Sequence, residues 1–173
     1  MATLRHGADS PSLPTPPVFE SKVCPPQDLS ARVRSCARPL VFTNGVFDIL
    51  HRGHATYLAE ARALGATLLV ALNSDASAKR LGKGEDRPVN RLADRVALLA
   101  ALESVRLVTW FDEDTPLELI RACRPDVLVK GGDWKTDAIV GAAEVRAWGG
   151  SVYSIPFRHQ LSTTALLEKI RRA

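Results

Sequence analysis

Apolar and polar positions along this chain follow a pattern that predicts five buried strands separated by helices. A strand that is covered on both faces reads as a short continuous apolar run, without alternation. Such runs occur at residues 40–42, 67–72, 105–110, 126–130 and 151–156. Between these runs, apolar residues recur three and four positions apart, which is the spacing of one helix face.

Helices are predicted in the intervals, and capping side chains mark several of their starts. A hydrogen-bonding side chain that accepts from the first turn begins a helix favourably, and four candidates are present: Ser74, Asn90, Thr115 and Ser162. Pro116 suits the first helical position after Thr115. A further helix is predicted from Gly53 to Gly65 and another near residues 142–148.

The alternation predicts an α/β fold class. It indicates a Rossmann-like, doubly wound, mainly parallel five-stranded sheet with helices on both faces. In such sheets, ligands bind beyond the carboxyl ends of the strands. Polar residues and glycines follow each predicted strand, at residues 43–47, 73–75, 111–112, 130–134 and 157–158. We therefore predict a binding site along that edge of the sheet.

The N-terminal part of the chain differs from the rest. Six of the 11 prolines fall within residues 1–38, and proline interrupts both helices and strands. We predict a proline-rich, partly flexible N-terminal extension over residues 1–38, with scope for a short helix at 28–37. One domain is predicted over residues 39–173.

Composition narrows the class of protein. A hydrophobic content of 46% is ample for a packed core, and a net charge of +4 suits an acidic small substrate better than it argues for nucleic acid. Three cysteines without CxxC spacing indicate a reducing compartment. No apolar run approaches the ~20 residues that span a membrane, and no signal peptide is recognised. We predict a cytoplasmic protein without nucleic-acid or membrane partners.

The segment that joins the first strand to its helix carries the strongest chemical signal. It contains His51 and His54 on either side of Gly53. A helix start offers unpaired N–H groups and a partial positive charge, which suit phosphate. Gly53 allows close approach of a ligand, and two imidazoles can donate hydrogen bonds to phosphate oxygens. These features favour a phosphate site.

A metal site is the alternative interpretation of the same segment. Asp48, His51 and His54 are spaced by three, as in a site of two histidines and one carboxylate. We rank phosphate above metal because no other His/Cys cluster supports a metal and because the downstream basic residues suit an anion. No protein-held metal is predicted.

The segment Asn44-Gly-Val-Phe-Asp-Ile-Leu-His-Arg-Gly-His54 resembles the HxGH signature of the nucleotidyltransferase superfamily, in its cytidylyltransferase-like form. The segments at 73–77, 87–90, 130–134 and 162–164 narrow the resemblance to the adenylyltransferases of ADP-heptose synthesis. It covers residues 40–173. It implies transfer of AMP from ATP to D-glycero-β-D-manno-heptose 1-phosphate, with release of pyrophosphate, for the lipopolysaccharide core.

The resemblance also implies roles for individual residues. His51 and His54 stabilise the transition state, together with a lysine for which Lys83 is favoured over Lys79, although Gly82 interrupts the family's spacing there. Nucleotide binding falls to Thr43, Asn44, Gly45, Val46, Phe47, Gly53, Gly132, Asp133, Ser162, Thr163 and Thr164. Substrate binding falls to Asp48, Lys79, Arg80 and Arg87.

For three side chains, the sequence leaves two possible roles open. Asp48 either orients a histidine or caps the turn. Arg95 is structural, with a role at the triphosphate left open. Trp134 either stacks on a ligand or covers the core, and the core is the commoner outcome for tryptophan.

The resemblance implies Mg²⁺, held mainly by nucleotide phosphates and water, and a homo-oligomer, with a dimer expected. Family members are often fused to a sugar kinase; the chain begins at Met1 and is too short to include one, so we expect a separate kinase.

A glycerol-3-phosphate cytidylyltransferase is an alternative function. A nucleotide-sensing or nucleic-acid-binding module without catalysis is another, which the paired histidines disfavour.

Overall fold

A computed structural model describes residues 17–82, 84, 86–159 and 162–172. Its strands are β1 Leu40–Gly45, β2 Thr67–Asn73, β3 Leu107–Phe111, β4 Val127–Gly131 and β5 Ser151–Ile155. Its helices are α1 Leu29–Arg34, α2 Arg52–Arg62, α3 Asp75–Arg80, α4 Leu92–Ala101, α5 Leu117–Cys123, α6 Ala142–Ala147 and α7 Thr163–Arg172. Lys83, the favoured catalytic lysine, lies outside the described residues.

The five strands form one sheet in the order β3-β2-β1-β4-β5. Every neighbouring pair is parallel, with Leu40 opposite Thr67 and Val41 opposite Val127. The chain leaves β1 toward β2 and β3 on one side and later returns to β4 and β5 on the other. The strand order therefore reverses at β1, which is where ligands bind in open α/β sheets. The predicted fold class is confirmed.

Helices cover both faces of the sheet because alternate residues of each strand point to opposite sides. Phe42 and Leu69 pack in one core cluster with Ile120 of α5. Val41 and Val70 pack in the other, with Leu58 and Leu99 from α2 and α4 among its members. The central strands are buried on both sides, which explains their continuous apolar runs.

The chain before β1 packs against the body of the molecule. The Cys24 N–H donates to the Val108 carbonyl at 2.8 Å, beside the edge strand β3. Cys24, Leu29 and Val33 are buried members of the first core cluster. The boundary predicted between residues 38 and 39 thus does not coincide with a break in the packing, because α1 supplies core residues from inside the predicted extension.

Two of the four predicted caps have the expected geometry. Two differ, and one of these is Thr115, since Pro116 is the N-cap of α5. Ser74 Oγ accepts from the Ser77 N–H at 3.0 Å, and Ser162 Oγ accepts from the Ala165 N–H at 3.1 Å. Asn90 does not cap α4, whose N-cap is Arg91. Asn90 instead bonds to Asp48, a long-range partner that no local pattern indicates.

Cys24, Cys36 and Cys123 are free thiols. Among the described residues, no helix is both long and apolar enough to cross a membrane.

Candidate active site

The turn between β1 and α2 brings the two histidines together. His51 is the N-cap of α2, with extended backbone, and His54 lies in the first turn of that helix. The two imidazole rings stack with centroids 3.9 Å apart and an interplanar angle of 19°. Phe47 places the edge of its ring against His54 at 5.3 Å and 66°. The rings therefore form one compact group at the end of the central strand.

Phe47 takes an unusual backbone conformation to reach this position. Its φ is +48°, a left-handed value that is uncommon for residues other than glycine. A Cβ on Gly45 would lie 3.0 Å from Phe47 Cε2, so glycine leaves room for the aromatic ring. Backbone strain of this kind is concentrated at functional sites.

Burial sets the charge of the two imidazoles. Burial, and to a lesser extent the neighbouring His51, lowers the pKa of His54 to about 4. Burial also lowers the pKa of His51. Both rings are thus mainly neutral near pH 7.

Within the described part of the chain, the buried Nδ1 atoms of both rings have no hydrogen-bond partner. Leaving buried polar atoms unpaired costs free energy unless a ligand supplies the missing hydrogen bonds.

His54 couples the stability of the fold to pH. Its pKa is about 4 when folded and near 6.5 otherwise, so the unfolded chain binds more protons between these values. The free energy of unfolding should therefore fall as pH drops from 6.5 toward 4. We expect a smaller fall in His54→Asn, whose side chain does not titrate. Urea unfolding at about pH 7 and about pH 5 measures both proteins, and equal losses would contradict the prediction.

Gly53 keeps the histidine pair in place. A Cβ at this position would lie 3.1 Å from both Cε1 and Nδ1 of the His51 ring. We expect Gly53→Ala to leave the thermal midpoint unchanged or higher, because alanine is favoured in a helix by about 1 kcal/mol. It should lower kcat roughly ten- to a hundredfold by displacing the ring. Thermal melts and steady-state kinetics check both, and an unchanged kcat would show that the ring position does not matter.

His54 faces a cleft of two lobes that meet at a shared wall. The wall is formed by Asn44, Gly45, Val46, Lys130 and Trp134. The first lobe, here called the histidine lobe, adds Phe47, Asp48, His54, Arg87, Phe157 and Thr163. The second lobe adds Asn73, Leu81, Asp114, Thr115 and Val140. Both lobes lie at the carboxyl ends of the strands, as the fold class predicts.

Thr43 differs from its predicted role as a nucleotide ligand. Its side chain is fully buried, and its Oγ1 lies 2.5 Å from the hydroxyl of Tyr57. Thr43 therefore joins β1 to α2 beneath the site, and its hydroxyl does not reach the cleft. Asn44, Gly45, Val46 and Phe47, in contrast, all line the cleft.

The partners of the Asp48 carboxylate are not the histidines, and its predicted contact with substrate stays a prediction. Its carboxylate is 2% exposed and accepts from Arg87 Nε at 2.5 Å and from the Asn90 N–H at 2.9 Å. Its carbonyl accepts from Asn90 Nδ2 at 2.7 Å. Asp48 thus ties the turn after β1 to the segment that carries Arg87. Because both oxygens of the carboxylate already hold donors, the alternative metal triad with the two histidines is disfavoured.

The other predicted basic residues are distributed around the site. Arg87 lines the histidine lobe. Arg80 pairs at 2.6 Å with Asp114, which lines the second lobe, and its predicted contact with substrate stays a prediction. Lys79 is exposed on α3.

Arg95 is a structural residue of the turn. It is fully buried and donates to the carbonyls of Val46 at 2.7 Å and Asn73 at 3.0 Å, and to Asp75 at 2.7 Å. A further bond reaches the Asn90 carbonyl at 3.1 Å. One guanidinium therefore holds the ends of β1 and β2 and the segment before α4 together.

The segment after β4 presents its tryptophan to the cleft. Trp134 is 52% exposed, and its Nε1 donates to the Gly131 carbonyl at 3.1 Å. Of its two interpretations, covering the core is therefore wrong. Gly132, two residues earlier, has a left-handed φ of +108°. Asp133 is exposed beside it.

The start of α7 closes the opposite side of the histidine lobe. Thr163 is 8% exposed and lines the lobe, with its Oγ1 3.5 Å from the Ile49 carbonyl. Ser162 and Thr164 are exposed on either side of it. Of the three predicted hydroxyls, Thr163 is the one that the structure places in the lobe.

Three residues that line the site, Tyr57, Lys130 and Phe157, were given no individual role from the sequence. Tyr57 and Phe157 pack edge to face at 5.8 Å and line the histidine lobe. Lys130 lies in the shared wall, with its Nζ 3.4 Å from Asn44 Oδ1. Two signals pointed to Lys130: its position at the end of a buried strand and its place in the segment 130–134 that carries the resemblance.

The described residues contain no group of three or more His, Cys, Asp or Glu side chains arranged to hold a metal ion. The donors that line the histidine lobe are imidazole, guanidinium, ammonium, hydroxyl and backbone groups. Such a set suits a polyanion, since each can donate to phosphate oxygens.

Comparison with known proteins agrees with this geometry. The chain is 59% identical, over 89% of its length and 96% of the relative's, to the D-beta-D-heptose 1-phosphate adenylyltransferase of Bordetella bronchiseptica. It is 56% identical over 82% of its length to the bifunctional protein HldE of Citrobacter koseri, and spans 30% of that longer protein.

Solved structures show the same fold. The lipopolysaccharide core biosynthesis protein from Thermoplasma volcanium superposes with a TM-score of 0.58 at 30% identity, covering 70% of this chain and 98% of that one. A pantoate-beta-alanine ligase from Francisella tularensis superposes with a TM-score of 0.57 at 13% identity, covering 87% of this chain and 78% of that one, which supports the fold alone. The cytidylyltransferase-like family model matches residues 42–169. The chain therefore belongs to the cytidylyltransferase-like family of nucleotidyltransferases.

Proposed function

We propose that the chain transfers AMP from ATP to D-glycero-β-D-manno-heptose 1-phosphate, and that it serves lipopolysaccharide core synthesis. The high identity to a protein named as a heptose 1-phosphate adenylyltransferase supports the substrates. The observation that carries the chemistry is the stacked pair of neutral imidazoles in the first turn of α2, with buried nitrogens lacking partners among the described residues.

The reaction joins two anions. An oxygen of the sugar 1-phosphate attacks the α-phosphorus of ATP and forms a new P–O bond. The bond from the α-phosphorus to the oxygen that bridges to the β-phosphorus breaks, and pyrophosphate leaves with that electron pair. The protein contributes mainly by holding the reactants in line and by stabilising the charge that develops on the phosphoryl oxygens.

The two lobes suggest where the reactants lie. The triphosphate fits the histidine lobe, where His54, Arg87 and the start of α7 converge. The sugar fits the second lobe, which Asn73, Asp114 and Thr115 line. The reacting phosphates then meet at the shared wall, beside Lys130 and the backbone of Val46. His54 donates to the oxygens of the α-phosphate, and His51 supports it from the stacked position.

Mg²⁺ is part of this proposal. The cleft offers few carboxylates, and the Asp48 carboxylate is engaged by Arg87 and Asn90. The ion would therefore be held by the nucleotide phosphates and water, as Mg²⁺ commonly is. When bound, it neutralises part of the negative charge of the nucleotide phosphates.

Several expectations stay predictions. Lys83 or Lys79 is expected to be the lysine that contacts phosphate, and Gly132 and Asp133 are expected to contact the nucleotide. The protein is also expected to be cytoplasmic and to form a homodimer.

A substrate panel tests the proposed function. ATP, CTP, GTP and UTP are each offered with heptose 1-phosphate, mannose 1-phosphate or glycerol 3-phosphate, and pyrophosphate release is recorded. We expect ATP with the β-anomer of the heptose 1-phosphate to give the highest kcat/KM. Preferential use of CTP with glycerol 3-phosphate would replace the proposal, and no release with any pair would contradict it.

A further inference from the structure

The buried Asp48 carboxylate is held by donors from a distant part of the chain. Arg87 Nε lies 2.5 Å from Oδ2, and the Asn90 N–H lies 2.9 Å from Oδ1. The side chain of Asp48 is 1% exposed and that of Arg87 is 12% exposed. A carboxylate so deeply buried is retained only with strong partners, so this pair fixes the position of Arg87.

The Arg87 guanidinium also borders the histidine lobe, with His54 and Thr163 among its other lining residues. A guanidinium has five N–H donors in a rigid fork, and the Nε contact with Asp48 uses one of them. The remaining donors suit the oxygens of a phosphate group. Asp48 therefore has the geometry to aim one cation at an anion without touching that anion itself.

We propose that Asp48 is a positioning residue whose carboxylate orients Arg87 toward a phosphate group in the histidine lobe. The inference rests on the proposed function for the identity of the two anions, ATP and a sugar 1-phosphate. Its test measures binding, so it can fail while the transfer activity stands, and it can hold if another acceptor is used.

A double-variant cycle separates positioning from a general effect on the fold. The proteins are wild type, Asp48→Asn, Arg87→Ala and the double variant, and calorimetry gives the Kd for ATP and, in a separate arm, for a sugar 1-phosphate. A charge-assisted hydrogen bond corresponds to a roughly ten- to hundredfold change in Kd. We expect each single variant to weaken the same anion by this factor and the double variant to be no weaker than Arg87→Ala.

Asp126→Asn is the matched control. Asp126 also accepts from an arginine and a backbone N–H, Arg38 at 2.9 Å and Leu40 at 2.5 Å, but at the opposite end of β1. The Asp126→Asn substitution should leave the Kd values for ATP and for the sugar 1-phosphate unchanged. Unchanged affinity for both anions in Asp48→Asn, or losses that multiply in the double variant, would overturn the inference.

Arg87→Lys carries the test if Asp48→Asn does not fold. A lysine ammonium that pairs with Asp48 lacks the rigid fork of donors with which a guanidinium can also reach the phosphate. Arg87→Lys should therefore bind the anion as weakly as Arg87→Ala. Wild-type affinity in Arg87→Lys would show that charge alone suffices and would overturn the role of Asp48.

Discussion

Replacing His54 with alanine is expected to lower kcat roughly 100- to 1000-fold and to leave the Kd for ATP within about threefold of the wild-type value. The reason is that a neutral imidazole contributes little to binding the ground state and more as charge develops on the α-phosphoryl oxygens. Its burial, which lowers the pKa to about 4, makes that donor act in a site with little water. Steady-state kinetics with calorimetry of ATP binding separate the two effects.

Arg52→Ala is the control for this prediction. Arg52 lies between the two histidines in sequence but is exposed, so its removal should change neither kcat nor Kd appreciably. A His54→Ala protein that loses ATP affinity as much as turnover would contradict a role in the transition state.

Replacing Arg95 with methionine is expected to destabilise the fold by roughly 3 to 5 kcal/mol. Methionine has similar length but no donors, so the carbonyls of Val46, Asn73 and Asn90 lose the guanidinium that joins them. Leaving buried acceptors without partners is costly. Urea unfolding of the variant and the wild type measures the loss.

Arg91→Met is the control for Arg95. Arg91 lies one helical turn earlier and is exposed, so the same substitution there should change the free energy of unfolding by less than about 0.5 kcal/mol. Equal losses at the two positions would show that the buried bonds of Arg95 add nothing specific.

The fold class was predictable because its signals are local. Continuous apolar runs such as Thr67–Asn73 mark strands that are buried on both faces. Ser74 and Ser162 cap their helices as expected, since a cap depends on residues within one turn. The position of the histidines at the start of α2 followed from the same kind of signal.

The network under the site was not predictable because its partners are distant in sequence. Asn90 looks like a cap, but it bonds to Asp48, 42 positions earlier. Thr43 looks like a ligand beside Asn44, but the pleat of β1 turns its hydroxyl toward Tyr57. Trp134 looks like a core residue by its type, but its side chain is half exposed and lines the cleft. In each case the local sequence pattern allowed more than one role for the side chain, and the tertiary structure determined which role it has.

A crystal structure with Mg²⁺ and a non-hydrolysable ATP analogue tests the central claim most directly. The account predicts that oxygens of the α-phosphate lie within hydrogen-bond distance of His54, with the triphosphate against the backbone of residues 44–47 at the start of α2. A triphosphate bound in the second lobe, or away from residues 44–54, would contradict it.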